Sequence, residues 1–403
     1  MNLKSILLAG AMAVVGGGAM AASHGCSNDV AAKSLTNAFP AYVIMTDVMT
    51  ACGNFEAELD KDHRLKLQDA FSTNPSLYTI AGVANATSVP LFEQELVRPL
   101  DDLIAAHGQG LSENQFIKVD GKVMAIAALF NTQHLMYRQD ILSDLGIAVP
   151  TTWDEVFDAA EKIKAAGVVD YPLGGYYKSG WNLGFVFINQ YLGEGGTFLD
   201  ENNMPAIDEA KATVVLERMA KAASYMDPEY LVSDTTFVTK QLQQGKIAMA
   251  NLWASRAGAV NDPAESTVSG EIKMAAGLMG SAQPASTVWW DGWVVAKNIT
   301  DEEAEAGFKL LVASMAPDVI ANNNDAAVWL ANGFTPGPAA EGASATALAG
   351  APAYPASKAM AVMHTALGDG LSAYMTSDKD AATALADINA AYMTAAKEAG
   401  LVE

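Results

Sequence analysis

Residues 120–163, DGKVMAIAALFNTQHLMYRQDILSDLGIAVPTTWDEVFDAAEKI, contain the two local patterns that best define the fold. Residues 122–129 are small and apolar and predict a buried strand. Further along, Thr152 and Glu155 have the spacing of a helix capping box. Apolar residues then recur at helical spacing, so Trp153 is expected to lie in the core. A buried strand followed by a capped amphipathic helix indicates an α/β protein.

The alternation of strand and helix patterns continues on both sides of this stretch. Further strands are predicted at 54–59, 77–83, 246–250 and 272–278, and further helices at 209–224, 301–314 and 380–398. Strands that alternate with helices are typical of mainly parallel sheets. Residues 336–359 are rich in Pro, Ala, Gly and Ser and are predicted to form an irregular connection. With 403 residues, the chain is long enough for two domains.

The first segment, MNLKSILLAGAMAVVGGGAMA, has the features of a secretory signal. Lys4 precedes an apolar run that is too short for a permanent membrane span, and the run ends in the cleavage pattern Ala19-Met20-Ala21. We therefore predict that residues 1–21 are a signal peptide, removed on export to the periplasm of a Gram-negative cell. Cys26 lacks the preceding leucine of a lipoprotein signal, so a soluble mature protein is expected.

The chain has two cysteines, Cys26 and Cys52, and both follow the predicted signal peptide. Two cysteines close in sequence predict a disulfide in an oxidising compartment. A loop of this size would stabilise the fold by roughly 3 kcal/mol. The alternative is two unrelated thiols.

Charge and motif content argue against several classes of protein. The net charge of −22 argues against nucleic acid and anionic membranes as partners. The sequence has no GxSxG, HExxH, P-loop or GxGxxG pattern, and its five histidines lack the spacing of a metal site. We therefore predict a protein that is not an enzyme and has no cofactor. A glycosidase carboxylate pair among the many acidic residues is the alternative.

Several segments, taken in order, resemble extracellular solute-binding proteins (family 1) of ABC sugar importers, the group that includes maltose-binding proteins. The residues that carry the resemblance are Tyr137-Arg138-Gln139-Asp140, Leu145-Gly146-Ile147, Pro150, Thr152-Trp153-Asp154-Glu155, Asn189 to Gly196, Gln244 to Met249, and Gly292 to Lys297. Together they cover about residues 75–320. The segment before Asn54 is shorter than in that family, and the expected proline after 122–129 is absent.

The resemblance implies a two-lobed periplasmic binding protein fold of type II, with a hinge of crossing segments. It assigns 22–129 and 280–317 to an N-terminal lobe, and 130–279 and 318–403 to a C-terminal lobe. It places the crossings near Phe130-Asn131, Met279-Gly280 and Pro317. It further implies a monomer that captures a small carbohydrate and delivers it to the membrane permease subunits of an ABC transporter.

A sugar site needs flat aromatic rings for the C–H faces of the ligand and planar polar groups for its hydroxyls. Trp289, Trp290 and Trp293 lie within five positions, and strand alternation sends them to different sides. We expect Trp290, Asp291 and Gly292 to contact the ligand at the cleft rim, with Trp293 packed inward. The alternative is that all three tryptophans belong to the core.

Further ligand contacts are expected in both lobes. The candidates are Trp181, Trp253, Arg256 and Trp329, together with Asp47, Asn85 and Asn131. Arg256 could donate a pair of hydrogen bonds to sugar hydroxyls or to the carboxylate of an acidic sugar. An ordinary salt bridge is the alternative for this residue.

Other cargoes fit parts of the sequence. Tyr176-Tyr177 is an adjacent pair of the kind through which ferric-iron-binding relatives hold the metal. Asp291 or Glu194 could pair with a cationic polyamine or peptide. A sugar or sugar derivative is the preferred prediction.

Overall fold

The computed structural model describes residues 26–377 and 379–403, so the predicted signal peptide at 1–21 lies outside the described residues. The strands are β1 (Asn28–Thr36), β2 (Gly53–Leu59), β3 (Ile80–Ala84), β4 (Phe116–Val119), β5 (Lys122–Asn131), β6 (Gln133–Arg138), β7 (Tyr171–Gly174), β8 (Ile247–Trp253), β9 (Ile272–Ala275), β10 (Trp289–Val295) and β11 (Val328–Trp329). The helices are α1 (Pro40–Ala51), α2 (Leu67–Ser72), α3 (Asn85–Glu93), α4 (Asp101–His107), α5 (Gln139–Asp144), α6 (Trp153–Ala166), α7 (Trp181–Gly193), α8 (Glu209–Ala223), α9 (Thr235–Gln243), α10 (Ala257–Val260), α11 (Asp301–Ser314), α12 (Pro317–Asn322), α13 (Pro338–Leu348), α14 (Lys358–Thr376) and α15 (Ala381–Glu398).

The first lobe is built on the larger sheet, whose strand order is β11-β5-β10-β3-β1-β2, with β4 beside β5. Helices α1 and α11 cover one face, where Trp293 is fully buried with Tyr42 and Met45. Helices α2 and α3 cover the other face, around Phe71 and Leu91. The predicted inward position of Trp293 is thus what the structure shows.

The second lobe is built on the smaller sheet, with strand order β7-β8-β6-β9. Helices α6, α7 and α8 pack around it in one large apolar core. Helices α14 and α15 pack on each other, and α14 also packs on α7. The fold is therefore a two-lobed α/β protein, as the sequence predicts.

The prediction of mainly parallel sheets is wrong. Among the described strands, only β1–β2, β1–β3 and β7–β8 pair in parallel. Strands β5, β6 and β10 all run against their neighbours, because the chain passes between the lobes through them. A strand that enters from the other lobe runs in the opposite sense to the β-α-β units it joins.

The first two crossings lie side by side. Strand β5 ends in the first lobe at Asn131 and β6 begins in the second lobe at Gln133, close to the predicted crossing at Phe130-Asn131. Strand β10 returns to the first lobe after Ser286 and Thr287, which are hydrogen-bonded to Thr132 and Gln133. The segment 278–285 still bonds to the second lobe, as when the backbone N–H of Met279 donates to Thr151. These contacts favour a second crossing later than the predicted Met279-Gly280.

The third crossing also differs from the expected position near Pro317. Val319, Ile320 and Trp329 are buried in the core of the first lobe, and β11 pairs with β5 there. The chain reaches the second lobe only at α13, which packs on β6 and β9. Assigning all of 318–403 to the second lobe therefore does not agree with the strand pairing, and we place the boundary between 330 and 337.

Local chemistry explains the accurate prediction of α6. The side chain of Thr152 accepts from the backbone N–H of Glu155 at 3.3 Å, and the Glu155 carboxylate accepts from the N–H of Thr152. The helix ends at Gly167, which has a φ of 64° that glycine adopts easily. Trp153 is buried, as expected.

The irregular connection predicted for 336–359 is contradicted by α13. Pro338 occupies the first turn of this helix, where a missing N–H costs nothing. Gly342 explains the small residues that follow, because an added Cβ would lie 2.3 Å from His134 Nδ1. The small residues of this segment therefore allow a helix to pack closely on the second-lobe sheet.

The predicted disulfide is present between Cys26 and Cys52, with a Cα–Cα distance of 5.2 Å. It ties the start of β1 to the end of α1. Across the described residues, none of the helices combines the length and apolar character that crossing a membrane requires.

Candidate ligand-binding cleft

Three nearly parallel rings form an aromatic surface in the second lobe. Trp181 begins α7 and stacks on Phe185 one turn later, with 5.0 Å between ring centroids and 8° between planes. Phe185 stacks in turn on Trp253, at the end of β8, at 4.9 Å and 13°. Both tryptophans are half-buried, whereas Phe185 is fully buried. The structure therefore brings together the two predicted contacts Trp181 and Trp253.

Trp289 stands edge-on to these rings at the first residue of β10. Its centroid lies 6.1 Å from Trp181, 5.3 Å from Phe185 and 5.8 Å from Trp253, with interplanar angles of 75°, 79° and 89°. The indole N–H donates to Thr287 Oγ1 at 2.8 Å. Trp289 was not among the predicted ligand contacts. It lies in this cluster because it follows the crossing directly, where the strand has just left the second lobe.

His364 of α14 completes the cluster. Its ring stacks on Trp181 at 4.8 Å, and its two nitrogens bond to Tyr354 Oη and the backbone oxygen of Trp181, both at 2.8 Å. Burial lowers the pKa of His364 to about 4, so the ring is neutral at pH 7. One signal for this cluster was readable in the sequence: Trp181 and Phe185 are four residues apart, a spacing that places rings on one helix face.

The first lobe reaches this surface through Arg64. Its guanidinium lies over the Trp181 ring, 5.3 Å from the centroid, as a cation–π contact between the lobes. Arg64 belongs to a short 3₁₀ helix, His63–Leu65, after β2. It was also missed from the sequence, because nothing local shows that the end of β2 faces the other lobe.

A polar group occupies the junction on the first-lobe side. Burial raises the pKa of Asp291 to about 7, although a hydrogen bond from Asn131 opposes the shift. The Asn131 carbonyl oxygen also accepts from the backbone N–H of Ser255 at 3.2 Å, and its amide donates to Ser255 Oγ at 3.3 Å. Asn131 thus joins the lobes next to a carboxyl group that is partly protonated at neutral pH.

The remaining candidates divide between the junction and elsewhere. Asn85, at the start of α3, is half-buried and donates to the backbone oxygen of Val288 at 3.5 Å, which places it beside the second crossing. Arg256 lies just after β8, in the 3₁₀ helix Ala254–Arg256. Burial lowers its pKa. Asn85 therefore lies beside the second crossing, and Arg256 directly follows Ser255, which bonds to Asn131 at the first.

Four predicted contacts lie away from the ring cluster. Trp290 packs against the α2–α3 side of the first-lobe core. Gly292 is buried where an added Cβ would lie 2.1 Å from Ile126 O, so its role is the close approach of β5 and β10. Trp329 is only 3% exposed and donates to Asn323 O. Asp47 is exposed on α1. The register shift between Asp291 and Gly292 leaves Ala128 of β5 without a partner in β10, so the alternation predicted along β10 is kept.

An open groove also separates the lobes. Its volume, open solvent included, is about 1350 Å³, and it is lined by Pro40 and Asp325 of the first lobe and by Gly258 and Lys273 of the second. Lining from both lobes is what a closing cleft requires. The second lobe has a smaller cavity of about 430 Å³ beneath its sheet.

The structure also bears on the alternative cargoes. Tyr176 and Tyr177 line the small cavity and are almost fully buried, and burial raises the pKa of both. Tyrosinate ligation of iron requires the opposite shift. Glu194 is already paired with Arg218 at 2.7 Å. Within the described residues, no group of three or more His, Cys, Asp or Glu side chains is arranged to hold a metal ion.

Two lobes joined by crossing strands, with an aromatic and polar surface between them, are the architecture of a binding protein. The sequence profile described as bacterial extracellular solute-binding protein matches residues 60–362. This match spans most of the chain, which therefore belongs to that family. The resemblance seen in the sequence is confirmed.

Solved structures share the fold over nearly the whole chain. An ABC transporter solute-binding protein from Agrobacterium radiobacter K84, in complex with ribitol, has a TM-score of 0.79 and 18% identity, covering 93% of this chain and 100% of its own. A second, from Agrobacterium vitis S4 with bound D-mannitol, has a TM-score of 0.77 and 18% identity, covering 92% of this chain and 99% of its own. The maltose-bound MalE3 of T. maritima has a TM-score of 0.73 and 17% identity, covering 90% of this chain and 99% of its own. At these identities the likeness concerns the fold.

Proposed function

We propose that this protein is the periplasmic substrate-binding component of an ABC transporter for a sugar or sugar derivative. It captures the ligand between its lobes as a monomer and delivers it to the membrane permease subunits. It is exported by the signal peptide at 1–21 and catalyses no reaction. The solved structures of similar fold support this cargo, since their ligands are ribitol, D-mannitol and maltose.

The observation that carries the proposal is the half-buried pair Trp181 and Trp253, stacked through Phe185. Such an apolar surface is the complement of a sugar C–H face, and it remains partly accessible between the lobes. Asn85, Arg256 and Asp291 supply the hydrogen-bonding groups that hydroxyls need.

The hinge supports the same function. Thr132 Oγ1 and Ser286 Oγ are 2.9 Å apart, and Ser286 Oγ donates to Gln133 O at 2.9 Å. Two adjacent crossing strands held by such bonds let the lobes rotate while the crossing itself keeps its geometry. A cleft that closes in this way buries the ligand and presents one shape to the permease.

The test is a calorimetric and thermal-shift screen of the mature protein against ribitol, D-mannitol, maltose and related carbohydrates. A carbohydrate should bind with micromolar affinity or better, about −8 kcal/mol. Trp181→Ala and Trp253→Ala should weaken that binding at least about tenfold while the proteins stay folded. The buried Trp329→Ala is the control, since it should lower stability and leave the affinity of the folded protein unchanged.

Three outcomes would contradict the proposal. The first is binding of a polyamine or peptide with no carbohydrate bound. The second is equal loss of stability and affinity in the Trp181 and Trp253 variants, which would assign both rings to the core. The third is turnover of aryl glycosides by the purified protein.

A further inference from the structure

The arginines of this acidic chain fall into two groups. There are five of them against 46 acidic residues, and all five lie in the described part of the chain. Three form ion pairs with N–O distances between 2.5 and 2.9 Å: Arg98 with Asp301, Arg138 with Asp140, and Arg218 with Glu194. In such a chain, a carboxylate partner is the ordinary state of a guanidinium.

Arg64 and Arg256 differ from the other three. Over residues 26–377 and 379–403, neither guanidinium has an ion pair or a hydrogen bond. Arg64 is exposed and Arg256 is half-buried. Their surroundings lower the pKa of each, and the carboxylates of Asp62 and Asp234 act on them only through space. The Asp234 carboxylate is occupied as the cap of α9, accepting from the backbone N–H of Thr236 and Phe237.

Arg64 contacts the opposite lobe through Trp181. Arg256 comes directly after Ala254 and Ser255, whose backbone N–H groups donate to Thr132 O and Asn131 Oδ1 at the first crossing. Arg64 of the first lobe covers Trp181, at one end of the row of stacked rings. Arg256 of the second lobe follows Trp253, at the other end of that row, by three residues. A ligand at this junction therefore has Arg64 on its first-lobe side and Arg256 on its second-lobe side.

A half-buried guanidinium without a partner, as at Arg256, costs free energy, and a carboxylate is the planar group that its donors match best. We infer that the cleft takes an acidic carbohydrate, such as a uronic or aldonic acid, whose carboxylate pairs with Arg256 and is further attracted by Arg64 from the opposite lobe. This inference rests on the proposed function and specifies its substrate class.

The experiment compares acids with their neutral counterparts of the same configuration. Calorimetry on the mature protein uses D-glucuronate against D-glucose and D-gluconate against D-glucitol. We expect an acid to bind about 10- to 100-fold more tightly than its neutral counterpart, the range of a charge-assisted hydrogen-bonded pair. Arg256→Gln should remove most of this preference and Arg64→Gln part of it.

Arg138→Gln is the matched control, because it removes an arginine whose partner is Asp140, and it should keep the preference. Arg256→Lys should give an intermediate preference for the acid, since lysine retains the positive charge but lacks the paired N–H donors of the guanidinium. Thermal unfolding of each ligand-free variant verifies that it is folded. Neutral compounds binding as tightly as the acids would overturn the inference and leave the proposed function standing. Failure of both kinds to bind would count against both.

Discussion

Asp291 should make the stability of the ligand-free protein fall as the pH rises. Burial raises the pKa of its carboxyl from 3.8 to about 7 in the folded chain. In the unfolded chain the carboxyl is exposed and ionises near its ordinary pKa. Between about pH 4 and pH 7 the folded state therefore holds a proton that the unfolded state has lost. Since the folded state binds more protons, raising the pH through this window favours unfolding.

The size of the effect follows from the two pKa values. At 1.36 kcal/mol per pKa unit, the difference between 3.8 and about 7 amounts to about 4 kcal/mol. The protein carries the full cost only above pH 7, and none of it below about pH 4. Asp291→Asn keeps the shape of the side chain and its neighbour Asn131, and removes the ionisation. The variant should therefore be more stable than the parent by up to about 4 kcal/mol at pH 8.

The assay is urea unfolding of the ligand-free mature protein, parent and Asp291→Asn, at intervals between pH 4 and pH 8. The quantity of interest is the difference between their free energies of unfolding, because the other ionisable groups cancel in it. This difference should increase from pH 4 to pH 8 in favour of the variant. Asp47→Asn, at an exposed site on α1, should show no such trend. Parallel curves for the parent and Asp291→Asn would refute the reasoning.

Three other predictions concern stability. The double variant Cys26→Ser/Cys52→Ser should have a free energy of unfolding lower by roughly 3 kcal/mol, because the bridge spans 26 residues. A reductant should lower the free energy of unfolding of the parent by a similar amount and leave that of the variant unchanged. Ser286→Ala should cost about 1–3 kcal/mol in urea unfolding, since it removes buried bonds to Thr132, and an unchanged midpoint would argue against a rigid crossing. Thr152→Ala should cost about 1 kcal/mol through loss of the α6 cap, whereas a neutral result would show that the cap is dispensable.

Much of the fold was predictable because its local signals are strong. The capping box at Thr152 and the apolar spacing after it define α6 almost to the residue. The strand at 122–129 appears as β5. Strand direction was not predictable from such patterns, because a buried strand has the same apolar pattern whether it pairs in parallel or antiparallel. The antiparallel pairing of β10 depends on the return of the chain from the other lobe.

The site was only partly predictable for a related reason. Trp181 and Trp253 were identified, since each lies at the end of an element that the resemblance places at the cleft. The alternation predicted along β10 is what the structure shows, with Trp290 and Val294 on the α2–α3 side and Trp293 and Val295 on the α1–α11 side. Trp289 was missed because its place among the rings depends on the crossing that precedes β10. The structure places Trp329 and Asp47 away from the ring cluster. Burial in the first-lobe core and exposure on α1 are tertiary facts that residue type does not report.

The lack of an ion pair at Arg64 and Arg256 could be found only from the tertiary structure. In sequence, Arg64 and Arg256 are ordinary members of a chain where acidic residues outnumber basic ones by 46 to 24. A surplus of carboxylates would be expected to satisfy every guanidinium. The structure satisfies the arginines outside the cleft and leaves these two without an ion pair. Closure of the lobes around a ligand would remove water from the half-buried Arg256, where a missing partner then costs most. A ligand that brings its own carboxylate supplies that partner, and a neutral ligand does not.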